Sequence, residues 1–496
     1  MIELSVKTGL VMRALFVRRL VCLGAVAGVL VSPGAAGQQG AAAPKNVIVM
    51  IADGSGANAV VATGMYTGKL GKQVFDGPAW LKTWVSTYPL RTREAPVQGP
   101  SGLQQDPEAA YDPARNWDTA PVTTTTGRFP DHFAGYAWTK KTAPDSANTM
   151  SAIVNGHKSY NNAINVDGNG RPLMTFAEIE SRAGKAVGVI TTVEFDDATP
   201  AAGGGAHNVS RTNHAAIASE MLNVGVLSVI MGTGNPDYDN DGARRTIPDY
   251  GWISAPDWMA LKSGTHPSGF KLIQDKGDFD ALPSNGNPPR KLMGIARSFN
   301  STQANRAGAQ PAAEAPFSVP RKSDVPDLRT MAQGALNILG RNPNGLFLMI
   351  EGGAVDRAEH ADDLGRMIEE KIEFDDAVAA VSAYLDANTN GNNWSNTLVL
   401  VTADHDHLLL GPDSDTVPFQ DLKDNGAGKV PGYKWQNNSH SNRLVPLFAR
   451  GPNANLLAAC AKRNDTYTDA QNRHFGFGAY LDQTEIYAVM TGAGCR

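Results

Sequence analysis

Six short apolar runs, separated by helical patterns, limit the possible folds more than any other feature of this sequence. Each run is nearly continuous in hydrophobicity and rich in β-branched residues, as expected for strands that are buried on both faces of a parallel sheet. The runs are Asn46–Ala52, Lys185–Thr192, Val224–Met231, Gly345–Ile350, Asn396–Thr402 and Leu444–Ala449. The helical patterns between them include Leu173–Arg182, Ala215–Val224, Pro326–Leu339 and Glu369–Ala387. This alternation predicts an α/β fold with a central, mostly parallel β-sheet flanked by helices on both faces.

Two irregular stretches interrupt the alternation. Residues 75–140 are rich in Pro, Thr, Trp and Asp, and residues 232–325 contain many Gly, Pro and Asn. We interpret both as insertions on a single catalytic domain that spans residues 45–496. A chain of 496 residues is also long enough for two or three smaller domains.

The N-terminal segment has the pattern of a secretory signal. Three arginines between positions 13 and 19 precede an apolar run, Leu20–Val31, and small residues follow it. The run is too short to span a bilayer. We therefore predict a cleavable signal peptide over residues 1–36, a disordered linker over 37–44, and a periplasmic or secreted protein with no membrane contact after cleavage. Initiation at Met12 would shorten the charged region, and an uncleaved N-terminal anchor is the alternative.

The net charge limits the classes of binding partner, and the cysteines bear on the cellular compartment. The formal net charge is −5, so no basic field favours nucleic acid or an anionic membrane, and we expect a small-molecule substrate. Cys460 and Cys495 remain after removal of the signal. A disulfide between them would persist outside the cytoplasm, but two unpaired thiols are equally compatible with the sequence.

Acidic and imidazole side chains recur where the predicted strands end, which is where ligands bind in doubly wound sheets. They are Asp53 after the first run, Glu351, Asp356 and His360 after the fourth, Asp404, His405 and His407 after the fifth, and His440 before the sixth. Mixed Asp and His sets suit zinc, and sets of oxygen ligands suit magnesium. Any one of these residues alone is compatible with an ordinary polar role. Their recurrence favours a metal centre, because clustered buried acids without a cation would raise each other's pKa and destabilise the fold.

Two further segments suit phosphate chemistry. Ser146 follows Asp145 and begins a helical pattern, so helix N–H groups and the positive end of the dipole would lie close to its hydroxyl. A plain N-cap role for either residue is the alternative. The segment FDDATP, with a later SR, offers Asp197, Thr199 and Arg211. An arginine fork matches two phosphate oxygens, although an isolated arginine is more often a surface residue.

Taken in chain order, these segments resemble the alkaline phosphatase family. The matching segments are ADGSG, DSA followed by NGHKSYNNAINVD, EFDDATPAA with a later SR, IEGGAVDRAEH, VTADH, and SH before a strand. The resemblance implies that phosphate monoesters are hydrolysed to alcohol and inorganic phosphate through a phosphoserine, with two Zn²⁺ ions and one Mg²⁺ ion. It also implies a possible homodimer, since members of the family are frequently dimeric.

The resemblance assigns a role to each matching position. Ser146 is the expected nucleophile, Arg211 the phosphate clamp, and Asp145 the residue that orients Arg211. The implied metal ligands are Asp356, His360 and His440 for one zinc, Asp404, His405 and Asp53 for the other, and Asp53, Thr199 and Glu351 for magnesium, which Asp197 contacts through water. His407 and His207 are interpreted as supporting or core residues. Arg357 stands where family members carry varied residues, often Lys or His, and we expect it to affect phosphate binding and the pH optimum rather than the reaction class.

Other functions remain open at this level. A phosphodiesterase or phosphonate-monoester hydrolase on the same metal scaffold is the main alternative, although Arg211 and the Asp-Ser-Ala segment favour a dianionic monoester. A sulfatase is disfavoured, because the sequence contains no Cys-x-Pro-x-Arg or Ser-x-Pro-x-Arg segment. A non-catalytic phosphate- or metal-binding protein would need the clamp and the ligands but not Ser146.

One weaker motif suggests a second kind of cation. Asp237, Asp239 and Asp241 have the spacing of the first half of an EF-hand loop, but Pro248 stands where the twelfth-position glutamate is expected. The motif indicates either a structural Ca²⁺ site or an ordinary polar turn.

Overall fold

The computed structural model describes residues 42–122, 126–308 and 315–495. The predicted signal peptide and most of the predicted linker lie outside these residues, so their assignment stays a prediction. No helix within the described ranges combines the length and the hydropathy needed to cross a membrane.

The described residues form thirteen strands and fourteen α-helices. The strands are Asn46–Ala52 (β1), Leu81–Ser86 (β2), Ala186–Glu194 (β3), Val229–Thr233 (β4), Lys271–Ile273 (β5), Leu292–Ile295 (β6), Leu346–Gly352 (β7), Thr397–Thr402 (β8), Leu409–Leu410 (β9), Lys434–Trp435 (β10), Val445–Arg450 (β11), Arg463–Thr468 (β12) and His474–Asp482 (β13). The helices are Ala57–Thr67 (α1), Pro113–Asn116 (α2), Ala134–Lys141 (α3), Ser146–Asn155 (α4), Phe176–Arg182 (α5), Ala198–Gly203 (α6), His214–Asn223 (α7), Ala255–Ser263 (α8), Lys276–Ala281 (α9), Leu328–Leu339 (α10), Ala354–His360 (α11), Leu364–Asp386 (α12), Leu456–Cys460 (α13) and Thr484–Thr491 (α14).

Eleven of the strands form one sheet, in the order β12-β13-β2-β11-β8-β1-β7-β3-β4-β6-β5. Every pairing from β8 to β5 is parallel. The predicted α/β class with a mostly parallel sheet is therefore confirmed. The prediction that the run Leu444–Ala449 is a parallel strand is wrong, because β11 lies antiparallel to β8. The hydrophobic pattern of a doubly buried strand is the same in either direction, and the long non-helical connection after β8 brings the chain back reversed.

Alternate side chains of β1 pack into two separate cores. Val47, Val49 and Ile51 belong to a cluster that includes residues of α4 to α7. Ile48 and Met50 belong to a second cluster, with residues of α10 and α12. Helices therefore cover both faces of the sheet, as the continuous apolar runs predicted.

The two irregular regions contribute strands to the sheet. Residues 75–140 contain β2, which pairs with β11 and β13. Residues 232–325 contain β5 and β6 at the opposite edge. All three strands are short, and β2 and β5 are partly exposed, so they carry a weak hydrophobic pattern that the sequence did not reveal. The aromatic rings of the first region pack onto the fold; Trp117, for example, lies 4.8 Å from the ring of Phe419.

The half EF-hand segment forms a polar turn whose carboxylates bond to protein groups. Asp237 Oδ2 accepts hydrogen bonds from Trp258 and from Lys262 at 3.1 and 2.8 Å. Asp239 Oδ1 accepts from two backbone amides of the same turn, and Asp241 Oδ1 accepts from the amide of Ala307. This geometry favours the polar-turn interpretation over a Ca²⁺ site.

Candidate active site

The polar side chains predicted at the strand ends lie together at the carboxyl edge of the sheet. β1 is hydrogen-bonded to β7 on one side and to β8 on the other, and all three run parallel. Asp53 directly follows β1, Glu351 is the penultimate residue of β7, and Asp404 comes two residues after β8. Parallel neighbours end at the same edge of a sheet, so these acids are brought side by side.

One cluster surrounds a single carboxylate oxygen. Asp356 Oδ1 lies 2.7 Å from His407 Nε2, 3.3 Å from His360 Nε2 and 3.4 Å from His440 Nε2. The other ring nitrogens of His360 and His440 bond to the carbonyls of Asn438 and Pro144. Such outer hydrogen bonds orient the rings of metal-binding histidines. These four side chains can hold a metal ion, and His407, interpreted from sequence as a supporting residue, belongs to the group by distance.

A second cluster connects candidate metal ligands to Ser146. His405 Nε2 lies 3.2 Å from Asp53 Oδ1 and 3.4 Å from Asp404 Oδ2. The same nitrogen is 3.2 Å from Ser146 Oγ. Asp53, Asp356 and His405 form another group that can hold a metal ion. Burial lowers the pKa of His405, which keeps its imidazole neutral, the form that binds metals.

Several buried oxygens at this edge have no hydrogen-bond partner within the described residues. They are Asp53 Oδ1, Thr199 Oγ1, Glu351 Oε1 and Asp404 Oδ2. Burial, reinforced by neighbouring carboxylates, raises the pKa of Asp53. Burial also raises the pKa of Glu351 to about 8. Buried acids that repel each other and lack donors are stabilised by a cation, so this donor set fits a metal centre.

Ser146 is the first residue of α4, and Asp145 caps the helix. Asp145 Oδ1 accepts from the amide of Asn148 at 3.1 Å, and Oδ2 accepts from Arg211 Nη1 at 3.3 Å. Asp145 thus serves both as the N-cap and as a partner of Arg211. The hydroxyl of Ser146 lies at the positive end of the helix, and its side chain lines an open cleft of about 310 Å³.

Two arginines line the cleft beside Ser146 and share one carboxylate. Arg211 donates to Asp197 Oδ1 at 2.8 Å, and Arg357 donates to Asp197 Oδ2 at 3.0 Å. Arg357 also donates to Glu194 Oε2 at 2.9 Å. Although burial opposes it, the two guanidinium groups lower the pKa of Asp197 to about 2. The cleft therefore presents two permanent cations to an anionic ligand.

The alkaline phosphatase family model matches residues 122–427. This chain belongs to the alkaline phosphatase family.

Individual relatives agree with this assignment. Alkaline phosphatase of Escherichia coli K12 is 27% identical over 366 residues, which cover 68% of this chain and 76% of that protein. Alkaline phosphatase H of Pseudomonas aeruginosa is 26% identical over 351 residues, or 65% of this chain and 71% of that protein. Membership in the family indicates a phosphatase that acts on small phosphate esters.

Solved structures share the fold. The cold-active alkaline phosphatase of a psychrophilic Shewanella superposes with a TM-score of 0.58 at 22% identity, covering 90% of this chain and 98% of that chain. The alkaline phosphatase of Thermus thermophilus also gives a TM-score of 0.58, at 18% identity, covering 91% of this chain and 92% of that chain.

Some residues of this alkaline phosphatase site were missed by sequence reasoning. Glu194, the last residue of β3, accepts a hydrogen bond from Arg357. Its place at the end of a predicted strand is the same signal that identified Asp53, and it could have identified Glu194 as well. His214 and Trp252 line the cleft together with Ser146 and the arginines. Trp252 lies in an irregular region, and no sequence pattern distinguishes it from a core residue. His207, by contrast, has the core role predicted for it, since its ring nitrogens lie 3.0 Å from Glu220 Oε1 and from the carbonyl of Leu173.

Proposed function

We propose that this protein hydrolyses phosphate monoesters to an alcohol and inorganic phosphate through a phosphoserine at Ser146. The observation that carries the proposal is the location of the Ser146 hydroxyl at a helix N-terminus, 3.2 Å from a metal-ligating histidine, in a cleft that two arginines also line. Family membership supports the reaction class, and the local geometry supports the nucleophile.

The proposed ligand sets follow the family resemblance, and their members are drawn from the two clusters and the orphaned oxygens. One zinc would be held by Asp356, His360 and His440, the other by Asp53, Asp404 and His405, and magnesium by Asp53, Thr199 and Glu351 with Asp197 through water. When bound, these cations would favour the ionised serine hydroxyl and neutralise negative charge on the phosphoryl oxygens and the leaving oxygen.

The residues of the chain would divide the remaining work. Arg211, held by Asp145 and Asp197, would bind two phosphoryl oxygens and orient the phosphorus toward Ser146. The serine oxygen would then form a bond to phosphorus as the ester P–O bond breaks, and the departing alcohol would take up a proton. Water would next attack the phosphoserine, so that inorganic phosphate leaves and Ser146 regains its proton. Arg357 would offset the added charge on the phosphoryl oxygens.

A phosphodiesterase or phosphonate-monoester hydrolase on the same scaffold is the second candidate. The two arginines of the cleft argue for the monoester, because a diester carries one charged oxygen fewer. A periplasmic or secreted location, based on the N-terminal segment, and a homodimer, based on the family resemblance, remain further predictions.

The test is hydrolysis of 4-nitrophenyl phosphate at alkaline pH by purified protein that begins after residue 36. The assay is run with zinc and magnesium, with a chelator, and with bis(4-nitrophenyl) phosphate as the diester. We expect chelator-sensitive turnover of the monoester, and a loss of at least about 1,000-fold in Ser146→Ala. Acid quenching followed by mass spectrometry should locate a phosphoryl group on the peptide containing Ser146.

Ser263→Ala is the matched control, because Ser263 is an exposed residue at the end of α8. It should keep full activity and the same melting temperature. Preference for the diester would favour the second candidate, and full activity of Ser146→Ala would refute the assignment of the nucleophile.

A further inference from the structure

Part of the cleft lining takes no part in the proposed chemistry. Apart from Ser146, the two arginines, Asp197 and three residues of the candidate metal cluster around Asp356, the cleft is lined by Thr212, His214 and Trp252. None of these three belongs to the clusters that can hold a metal ion. The volume of about 310 Å³ lies at the lower end of the range for small-ligand sites. A substrate whose phosphate is bound by Arg211 would therefore bring its leaving group close to these residues.

His214 is held in a defined orientation. It begins α7, three residues after Arg211, and its ring Nδ1 lies 3.0 Å from Asp196 Oδ2. Asp196 is fully buried, whereas the side chain of His214 is 24% exposed. A carboxylate at Nδ1 keeps the proton of the neutral imidazole on Nδ1, fixes the ring and directs Nε2 outward, where it can accept a hydrogen bond from a ligand.

Trp252 forms an aromatic surface beside this imidazole. The two ring centroids are 4.4 Å apart, with an edge-on angle of 82°. Phe299 packs behind the indole at 5.9 Å, and the guanidinium of Arg245 lies 4.4 Å from the Phe299 ring. The backbone at Gly234 also packs against the Trp252 side chain, since a Cβ atom added at Gly234 would lie 3.3 Å from Trp252 Cβ. The indole is thus supported by its neighbours while it remains half-buried at the cleft.

We propose that His214 and Trp252 form a leaving-group subsite that favours aromatic phosphate esters carrying a hydrogen-bond donor on the ring. Trp252 contacts the aromatic ring, and His214 Nε2 accepts a hydrogen bond from the donor. The inference rests on the proposed monoesterase function and extends it to a substrate class. A rigid aromatic surface next to one directional hydrogen-bonding group is the usual composition of a selective small-molecule site.

The experiment compares 4-hydroxyphenyl phosphate with ethyl phosphate in wild type, Trp252→Ala and His214→Ala. We expect kcat/KM for the aryl ester to fall about three- to tenfold in each variant, the loss typical of one aromatic contact or one hydrogen bond. The values for ethyl phosphate, and the inhibition constant of inorganic phosphate, should change by less than about twofold, because neither ligand reaches the subsite. Trp252→Phe should retain most of the aryl preference.

Parallel losses on both substrates would overturn the proposal, because they would indicate disturbance of the phosphate site, and unchanged aryl kinetics would overturn it as well. If an alanine variant fails to fold, Trp252→Leu and His214→Leu provide the same comparison, because leucine fills space without an aromatic face or a ring nitrogen. Calorimetric binding of phenylphosphonate, 4-hydroxyphenylphosphonate and methylphosphonate tests the subsite without turnover. A wild-type protein that hydrolyses no monoester yet binds the aryl phosphonates more tightly, with the preference lost in Trp252→Ala, would refute the proposed function and not the subsite.

Discussion

Arg357 pairs with two carboxylates at the cleft beside Ser146. Its guanidinium bridges Asp197 and the buried Glu194, and Glu194 in turn accepts a hydrogen bond from Asn300 Nδ2 at 2.7 Å. Because two carboxylates already hold the Arg357 side chain, it loses little further conformational freedom when it binds phosphate. We therefore expect Arg357 to act as a preorganised second cation beside Arg211.

Replacement of Arg357 should weaken phosphate binding without abolishing the reaction. Arg357→Ala should raise the inhibition constant of inorganic phosphate by about tenfold or more, the effect of losing one charge-assisted hydrogen bond. Arg357→Lys, which keeps the charge but not the planar fork, should raise it by less. The measurement is competitive inhibition at fixed pH and metal concentration. An unchanged inhibition constant in the alanine variant would mean that Arg357 only neutralises Glu194 and Asp197.

At the scale of elements, α12 contains an unusual buried acid. Glu370 is 2% exposed, and neither of its carboxylate oxygens has a hydrogen-bond partner among the described residues. The adjacent Glu369, by contrast, is paired with Arg306 at 2.7 Å. Burial raises the pKa of Glu370 to about 7. The folded state therefore binds a proton at Glu370 more tightly than the unfolded chain does.

Glu370→Gln should stabilise the protein in a pH-dependent way. Because the folded pKa lies above the unfolded value, the wild type loses stability as pH rises from about 4.5 to 7, and the loss persists above that range. At pH 8 the variant should gain about 1–3 kcal/mol in the free energy of unfolding, and at pH 4 it should gain little. Urea unfolding at both pH values measures the difference. Asp376→Asn, an exposed position on the same helix, is the control and should show no such trend; an equal effect at both pH values would contradict the mechanism.

At the scale of the whole molecule, the C-terminal segment supports α4, the helix that begins with Ser146. α14 packs against α4, and Tyr487 lies under the C-cap residue of α4, Gly156. Beyond α14, Cys495 forms a disulfide with Cys460 of α13, across a sequence separation of 35 residues. The two thiols that the sequence left undecided are therefore paired in the fold, and the end of the chain is covalently attached to it.

Removal of this disulfide should lower stability more than activity. In Cys495→Ser, the segment between Cys460 and Cys495 is no longer closed into a loop, so the unfolded chain gains conformational entropy. The free energy of unfolding should fall by about 2–4 kcal/mol. Initial rates at 25 °C should stay close to wild type, because the bond lies outside the catalytic cleft. Denaturant unfolding with and without a reducing agent provides the measurement, and reduced wild type should match the variant. Equal unfolding midpoints for oxidised wild type and Cys495→Ser would contradict the expectation.

The sequence by itself determined the strand-forming runs, several of the helices and the order of the polar motifs. All six apolar runs form strands, although β4 begins only at Val229, because α7 and the turn at Gly225 occupy the start of the predicted run. Similarly, α12 begins at Leu364 rather than at Glu369, since Asp363 caps it by accepting from the amide of Arg366. Such patterns can be recognised in the sequence because burial periodicity and backbone preference act between near neighbours in the chain.

Only the tertiary structure decided which distant residues meet. It placed Glu194 against Arg357, Trp252 against His214, and His405 against Ser146, which is 259 positions away in sequence. It also reversed β11 and brought β2, β5 and β6 into the sheet. These outcomes depend on strand pairing and side-chain packing between segments far apart in the chain. The local periodicity of one segment does not indicate which other segment it contacts.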